Sequence, residues 1–207
     1  MVEIKGAEAD RWIRNLPSDI AVYLVCGQDE GLVAERARAI VRGSVEDPAD
    51  PFQVVVLEGN AVAAEPERLL DEVYTIGLFG GRRLVRVSVG SRPLAPIVAN
   101  VLERPSPGCT LLLEGGSIKS DSPLRKLLAG ARNAVVIDCW SDDAKQLDAL
   151  IDEEFVAAGL TIEPAARTLL ASLIGADRLA TRSELAKLTL YAHGREVVTE
   201  ADVETIV

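Results

Sequence analysis

The chain has 207 residues, of which 48% are hydrophobic and 26% charged, and its net charge is −10. This composition excludes a disordered chain and allows one large domain or two smaller ones. The acidic balance argues against a protein whose main task is to hold nucleic-acid phosphates on its own surface. No apolar run approaches the about 18 residues of a membrane-spanning helix, and the start Met1–Lys5 lacks the apolar core of a signal peptide. We therefore expect a cytoplasmic protein.

The three cysteines, Cys26, Cys109 and Cys139, each lie in or at the end of an apolar run. Their number is odd and no Cys-x-x-Cys spacing occurs. Buried, reduced thiols are therefore predicted, rather than a disulfide or a zinc site.

Apolar runs alternate with amphipathic segments through the first 140 residues. A first helix is predicted over about 7–16, ended by Pro17. The predicted strands are Ala21–Cys26, Phe52–Leu57, Leu84–Val89, Cys109–Glu114 and Ala134–Cys139, and the helices between them cover about 29–42, capped by Asp29, then 66–75, 94–102 and 124–128. This alternation is typical of an α/β fold with a doubly wound parallel sheet of about five strands.

From Ser141 the pattern changes to helices that end at glycines. Helices are predicted from Ser141 or Asp142 to about 158, over 164–174 and 179–192, and after Thr199, with Gly159, Gly175 and Gly194 as stops. No strand signal of comparable strength appears there. We therefore predict two domains, an α/β domain at 1–140 and a small all-helical domain at 141–207.

The segment Ile76–Arg83 joins a predicted helix to a predicted strand and contains Gly77, Gly80 and Gly81. These glycines favour a turn that holds the apolar pair Leu78-Phe79 at or near the surface. A large apolar side chain left in water forgoes roughly 1.5 to 3 kcal/mol. The pair therefore either folds back onto its own domain or is kept for a partner's pocket.

The turn after the first predicted strand, which begins at Gly27, is where an α/β sheet would bind a nucleotide phosphate. A P-loop would need glycine, lysine and serine or threonine at 32–34, where the sequence has Leu-Val-Ala. A dinucleotide fingerprint also fails, because only Gly27 and Gly31 are present and Asp29 and Glu30 place carboxylates where a pyrophosphate would lie. We predict no nucleotide hydrolysis, no cofactor and no bound metal.

Other candidate groups lack partners for chemistry. Glu114 ends a predicted strand without a plausible nucleophile or metal beside it, and we interpret it as an ordinary strand-end carboxylate. His193, the single histidine, precedes the helix-ending Gly194, where a structural role is expected. Two basic groups are interpreted as solvated faces: Arg82, Arg83, Arg86 and Arg92, and Lys119, Arg125, Lys126 and Arg132.

Four segments in order resemble one family: Leu24–Glu30, Gly77–Val85, Thr110–Glu114, and Gly175–Arg178 with Glu184–Ala192. Together they look like the delta subunit of the bacterial DNA polymerase III clamp loader, an AAA+ architecture that has lost its ATPase function. The resemblance covers essentially the whole chain. It implies that residues 141–207 form the lid domain, and that the family's third, helical collar domain is absent because the chain stops at Val207.

The resemblance also implies a function. The family's delta subunit is non-catalytic, binds the sliding clamp and opens its ring, and the carried-over contact residues are Leu78 and Phe79, with Ile76 as a further apolar anchor. The implied partners are the clamp and, given a collar domain, the gamma/tau and delta-prime subunits, with DNA contact only indirect. Two alternatives stay open: an active AAA+ ATPase subunit of the same loader, and a generic protein-interaction scaffold.

Overall fold

A parallel sheet forms the centre of the first part of the chain. The computed structural model describes residues 2–77, 80–141 and 143–207. The strands are β1 (Val2–Lys5), β2 (Val22–Gly27), β3 (Val54–Glu58), β4 (Arg83–Ser88), β5 (Cys109–Gly115) and β6 (Ala134–Cys139), in the spatial order β1-β6-β2-β5-β4-β3. All neighbouring pairs are parallel. The predicted parallel α/β sheet is confirmed.

The sheet has one strand more than the sequence predicts. Strand β1 pairs with β6, so that Ile4 lies opposite Ile137. It is only four residues long and alternates apolar with charged side chains, which is too short a pattern to identify a strand. Strand β3 starts at Val54 rather than at the predicted Phe52, because Phe52 lies in a turn in which its amide donates to Asp50 Oδ1 at 2.8 Å.

Helices cover both faces of this sheet. They are α1 (Gly6–Ile13), α2 (Glu30–Ser44), α3 (Gly59–Ala64), α4 (Pro66–Tyr74), α5 (Ala95–Glu103) and α6 (Pro123–Gly130). Helices α1 and α2 pack on one face and α3 to α6 on the other, which gives two separate apolar cores. Strands β2, β5 and β6 are buried between them, and this explains their continuous apolar runs.

The first helix is shorter than predicted, and one short helix was not predicted. The first ends at Ile13 rather than near Leu16, and the Asn15 amide donates to the Trp12 carbonyl in the turn that follows. The short α3 was not predicted, since its six residues span less than two turns and show little periodicity.

The chain divides into two compact units, Met1–Trp140 and Ser141–Val207. The second unit contains α7 (Ala144–Ala158), α8 (Pro164–Leu173), α9 (Arg178–Tyr191) and α10 (Glu200–Ile206) around its own apolar core. It also contains two strands, β7 (Thr161–Ile162) and β8 (Val197–Val198), which pair in parallel. The prediction of an all-helical domain is wrong in this respect, because strands of two residues leave no pattern in a sequence.

The ends of these helices follow from local chemistry. Helix α7 is capped by Asp143, whose Oδ1 accepts from the Gln146 amide at 2.8 Å, rather than by the predicted Ser141 or Asp142. Asp142 lies outside the described residues. The same helix ends at Gly159, which has a left-handed φ of 68°. Among the described residues, no helix has the length and apolarity that a membrane-spanning segment requires.

Candidate functional site

The segment between α4 and β4, residues 75–82, is called the tip below. The chain leaves α4 in an extended conformation at Thr75, and the next side chain, Ile76, is 89% exposed. Gly80 and Gly81 have φ values of 71° and 90°, in the left-handed region that other residues rarely adopt. The Gly80 amide donates to the Gly77 carbonyl at 3.1 Å, which makes a turn. Of the predicted contact residues, Leu78 and Phe79 lie outside the described residues.

One side chain holds the base of the tip. Arg83, the first residue of β4, is only 8% exposed in its side chain. Its Nη1 donates to the carbonyls of Glu72 at 2.7 Å and Thr75 at 3.0 Å, and its Nε donates to the Phe52 carbonyl at 3.1 Å. Its Nη2 pairs with Glu72 Oε2 at 2.9 Å. The interpretation of Arg83 as part of a solvated face is therefore wrong.

A groove of about 520 Å³ lies between the tip and the loop that follows α5. One wall contains Tyr74, Ile76 and Arg83, and the other is formed by residues 104–108. The two walls are joined by the Tyr74 hydroxyl, which donates to the Arg104 carbonyl at 2.8 Å. The groove thus places an open concave surface directly beside the exposed Ile76.

The loop at residues 27–29, called the Gly27 loop, stands where a phosphate-binding turn would lie. Asp29 caps α2 as predicted, since its Oδ1 accepts from the Leu32 amide at 2.8 Å. The amides of Gly27 and Asp29 donate to the carbonyls of Gly116 at 3.2 Å and Cys139 at 3.3 Å. A Cβ built on Gly27 would lie 1.8 Å from the Cys139 oxygen. The helix N-terminus thus already holds a carboxylate of the protein itself, and these loop amides point at protein carbonyls.

A family model described as DNA polymerase III, delta subunit, matches residues 23–140, which is more than half of the chain. The chain belongs to this delta-subunit family. The resemblance inferred from the sequence segments is therefore confirmed. No curated protein matches the sequence.

The fold of this delta-family chain is similar to solved structures. The Bacillus subtilis DNA clamp loader delta protein aligns with a TM-score of 0.67 and 19% identity, covering 96% of this chain and 61% of that one. The Thermotoga maritima RuvB Holliday junction branch migration motor aligns with a TM-score of 0.55 and 15% identity, covering 96% and 64%. These likenesses show an AAA+-like fold. The chain spans less than two thirds of the length of either protein.

The delta-family chain pairs its strand-end carboxylate Glu114 with an arginine. Arg86 Nε and Nη2 donate to the two Glu114 oxygens, both at 2.8 Å. Such a bidentate pair gives the carboxylate a structural contact, in agreement with the interpretation of Glu114 as an ordinary strand-end carboxylate. The same pair shows that Arg86 does not belong to a solvated face. His193 is exposed in the turn after α9, and its amide donates to the Leu190 carbonyl at 3.1 Å.

A second buried arginine, Arg125 of α6, joins two strands of the delta-family sheet. It donates to Asp138 of β6 and Glu3 of β1, and its Nη1 donates to the Ile118 carbonyl at 3.1 Å. Burial raises the pKa of Asp138, and the hydrogen bond from Arg125 opposes this shift. For Glu3, the hydrogen bond from Arg125 outweighs burial and lowers the pKa. Arg125 therefore also departs from the solvated face predicted for it.

The three cysteines are free and buried, as the sequence predicts. Burial raises the pKa of Cys26 to about 12 and those of Cys109 and Cys139 to about 11. Such thiols are poor nucleophiles and poor metal ligands. Within the described part of the chain, no group of three or more His, Cys, Asp or Glu side chains is arranged to hold a metal ion.

The sequence predicts a glycine-containing turn at the tip but does not indicate the residue that holds its base. Arg83 has basic neighbours in the sequence, and adjacent charges suggest a solvated face. One signal in the sequence could have distinguished it: Arg83 directly precedes the apolar run that starts at Leu84, and a charge at the start of a buried strand needs partners.

Proposed function

We propose that this chain is a non-catalytic clamp-loader delta subunit, which binds the DNA sliding clamp through the tip and opens the ring, or holds it open, during DNA replication. The observation that carries the proposal is the 89% exposure of Ile76 in the tip, a segment that contains three glycines. An exposed aliphatic residue beside a groove is what a partner's apolar pocket can bind. Membership of the delta-subunit family supports the same role.

The mechanism is differential binding. A ring protein exists in closed and open forms, and a tip that fits the open form better shifts the equilibrium by the ratio of the two affinities. A tenfold shift of this equilibrium requires the tip to bind the open ring with a free energy about 1.4 kcal/mol more favourable than the closed ring. One well-packed apolar contact can provide a difference of this size. No hydrolytic step by this chain is required.

The Gly27 loop supports the non-catalytic part of the proposal. Residues 32–34 offer neither the lysine nor the hydroxyl that would bind phosphate and magnesium, and the Asp29 carboxylate occupies the N-terminus of α2. The alternative, an active ATPase subunit, predicts tight binding of ATP with magnesium. Isothermal titration of the chain with Mg-ATP distinguishes the two, because the proposal predicts no measurable heat of binding.

Family membership supports the remaining partners of the proposal. They are the gamma/tau and delta-prime subunits of the loader, which a collar domain would contact, in the cytoplasm where replication takes place. DNA would be approached only indirectly, since the net charge of −10 does not favour phosphate contacts by this chain.

The test is binding to the sliding clamp of the same organism. Leu78→Ala combined with Phe79→Ala should abolish binding, and Ile76→Ala alone should weaken it about tenfold, as expected for apolar hot-spot residues. Leu190→Ala is the matched control, since Leu190 is 76% exposed in the second unit. Titration of the immobilised clamp measures the affinities, and circular dichroism checks that each variant is folded. Wild-type affinity in the double variant would refute the proposal.

A further inference from the structure

We infer that Arg83 is a positioning residue for the clamp-binding tip: it joins the start and the end of the tip and so fixes the backbone beside the exposed Ile76. The inference rests on the proposed function and names how its site is held. It follows from the four bonds of the Arg83 guanidinium, which connect the first residue of the tip, Thr75, to Glu72 of α4 and to Phe52 in the turn before β3.

The first step is the closure of the tip at its base. Thr75 is the first residue of the tip, and Arg83 is the residue directly after its end. Arg83 Nη1 donates to the Thr75 carbonyl at 3.0 Å. The Arg83 amide donates to the Gly108 carbonyl at 2.8 Å, which fixes the same residue to the sheet. The two ends of the tip are thus held together, while the glycines between them provide the turn.

The second step is the match between the cation and the end of α4. The last carbonyls of a helix lack intrahelical partners and carry partial negative charge. Arg83 donates to the Glu72 carbonyl at 2.7 Å and pairs with the Glu72 carboxylate at 2.9 Å. A planar guanidinium can serve these acceptors and the Phe52 carbonyl together, which the single ammonium of lysine cannot do.

The third step concerns affinity. Arg83 is 8% exposed in its side chain, so it offers almost no surface to a partner. Its contribution to binding is therefore preorganisation: an ordered tip loses less conformational freedom when the clamp binds. Loss of Arg83 should then weaken binding although no contact with the clamp is removed.

The experiment compares Arg83→Gln and Arg83→Lys with Arg92→Gln, which removes the same charge from an exposed residue. Affinity for the clamp is measured at a temperature where circular dichroism shows each variant folded. Amide hydrogen exchange, followed by mass spectrometry, compares peptides of the tip with peptides of α2. We expect Arg83→Gln to lower the affinity about tenfold and to speed exchange in the tip by a similar factor, with α2 unchanged. Arg83→Lys should show smaller changes in affinity and in exchange than Arg83→Gln, and Arg92→Gln should match the wild type.

Two results would overturn the inference: wild-type affinity in folded Arg83→Gln, or exchange that speeds equally in the tip and in α2, which would mean a general loss of stability. If Arg83→Gln does not fold, the same two readouts on Arg83→Lys decide. If the wild-type chain does not bind the clamp, the proposed function fails. The exchange comparison then still decides whether Arg83 orders the tip.

Discussion

Replacing Arg125 by methionine should strongly destabilise the first unit. Its side chain is 9% exposed and that of its partner Asp138 is 10% exposed. The change removes the cation and leaves a buried carboxylate whose remaining side-chain neighbours are a second carboxylate, Glu3, and a thiol, Cys26 Sγ, 3.9 Å from Asp138 Oδ1. Breaking a buried pair in this way costs about 3 to 5 kcal/mol. We expect the upper part of this range, because the Ile118 carbonyl also loses its donor.

Urea titration measures this loss. Trp12 packs edge-on against Tyr23 with ring centroids 5.8 Å apart, so its fluorescence reports unfolding of the first unit. With a urea dependence of about 2 kcal/mol per molar, the midpoint should fall by about 2 M. Arg132→Met is the matched control, since Arg132 is exposed in the loop after α6 and its loss should change the midpoint little.

Two further observations test the cause of the loss. Removing Arg125 raises the pKa of Asp138 further, so the carboxyl takes up a proton at a higher pH in the folded variant, and the deficit should be smaller at pH 5 than at pH 7.5. Adding Asp138→Asn to Arg125→Met should recover part of the stability, since no buried charge is left unpaired. A deficit below about 1 kcal/mol, or one that does not change with pH, would refute the reasoning.

Gly27→Ala should lower the free energy of unfolding by about 3 kcal/mol or more, because the added Cβ would lie 1.8 Å from the Cys139 carbonyl oxygen, whereas Gly116→Ala meets open space and should be neutral. Equal urea midpoints for the two variants would contradict this. Burial raises the pKa of Cys26 to about 12, whereas the unfolded-state pKa of a cysteine is about 8.5. The protonated thiol therefore contributes its full share to the free energy of unfolding below a pH of about 8.5. This contribution is lost as the pH rises toward 12, by about 1.4 kcal/mol per pH unit. Urea midpoints at pH 8, 9.5 and 10.5 should therefore fall less steeply for Cys26→Ala than for the wild type, and identical slopes would show that this thiol titrates normally.

The parallel sheet was predictable because its central strands are buried on both faces. Runs such as Ala134–Cys139 remain apolar along their whole length, and the helices between the strands end at recognisable signals. Strands β1, β7 and β8 were missed since two to four residues show no usable period. Tertiary pairing, rather than local preference, determines these strands.

The candidate site was also predictable only in part. The glycines at 80 and 81 indicated a turn, and the structure gives both of them positive φ values. The bonds of Arg83 could not be predicted, because they connect Phe52, Glu72 and Thr75, which approach one another only after the sheet has formed. The placement of Leu78 and Phe79 as clamp contacts stays a prediction.

Strand β1 has a consequence for how the protein is made. It lies at the beginning of the chain, yet its partner β6 ends at Cys139, close to the end of the first unit. The edge of the sheet therefore stays open during synthesis until almost the whole unit has left the ribosome. Pairings between such distant segments form slowly, while the second unit, with more local contacts, follows only afterwards. A pause in translation after β6 has left the ribosomal exit tunnel would give the nascent sheet time to close before the helices of the second unit emerge.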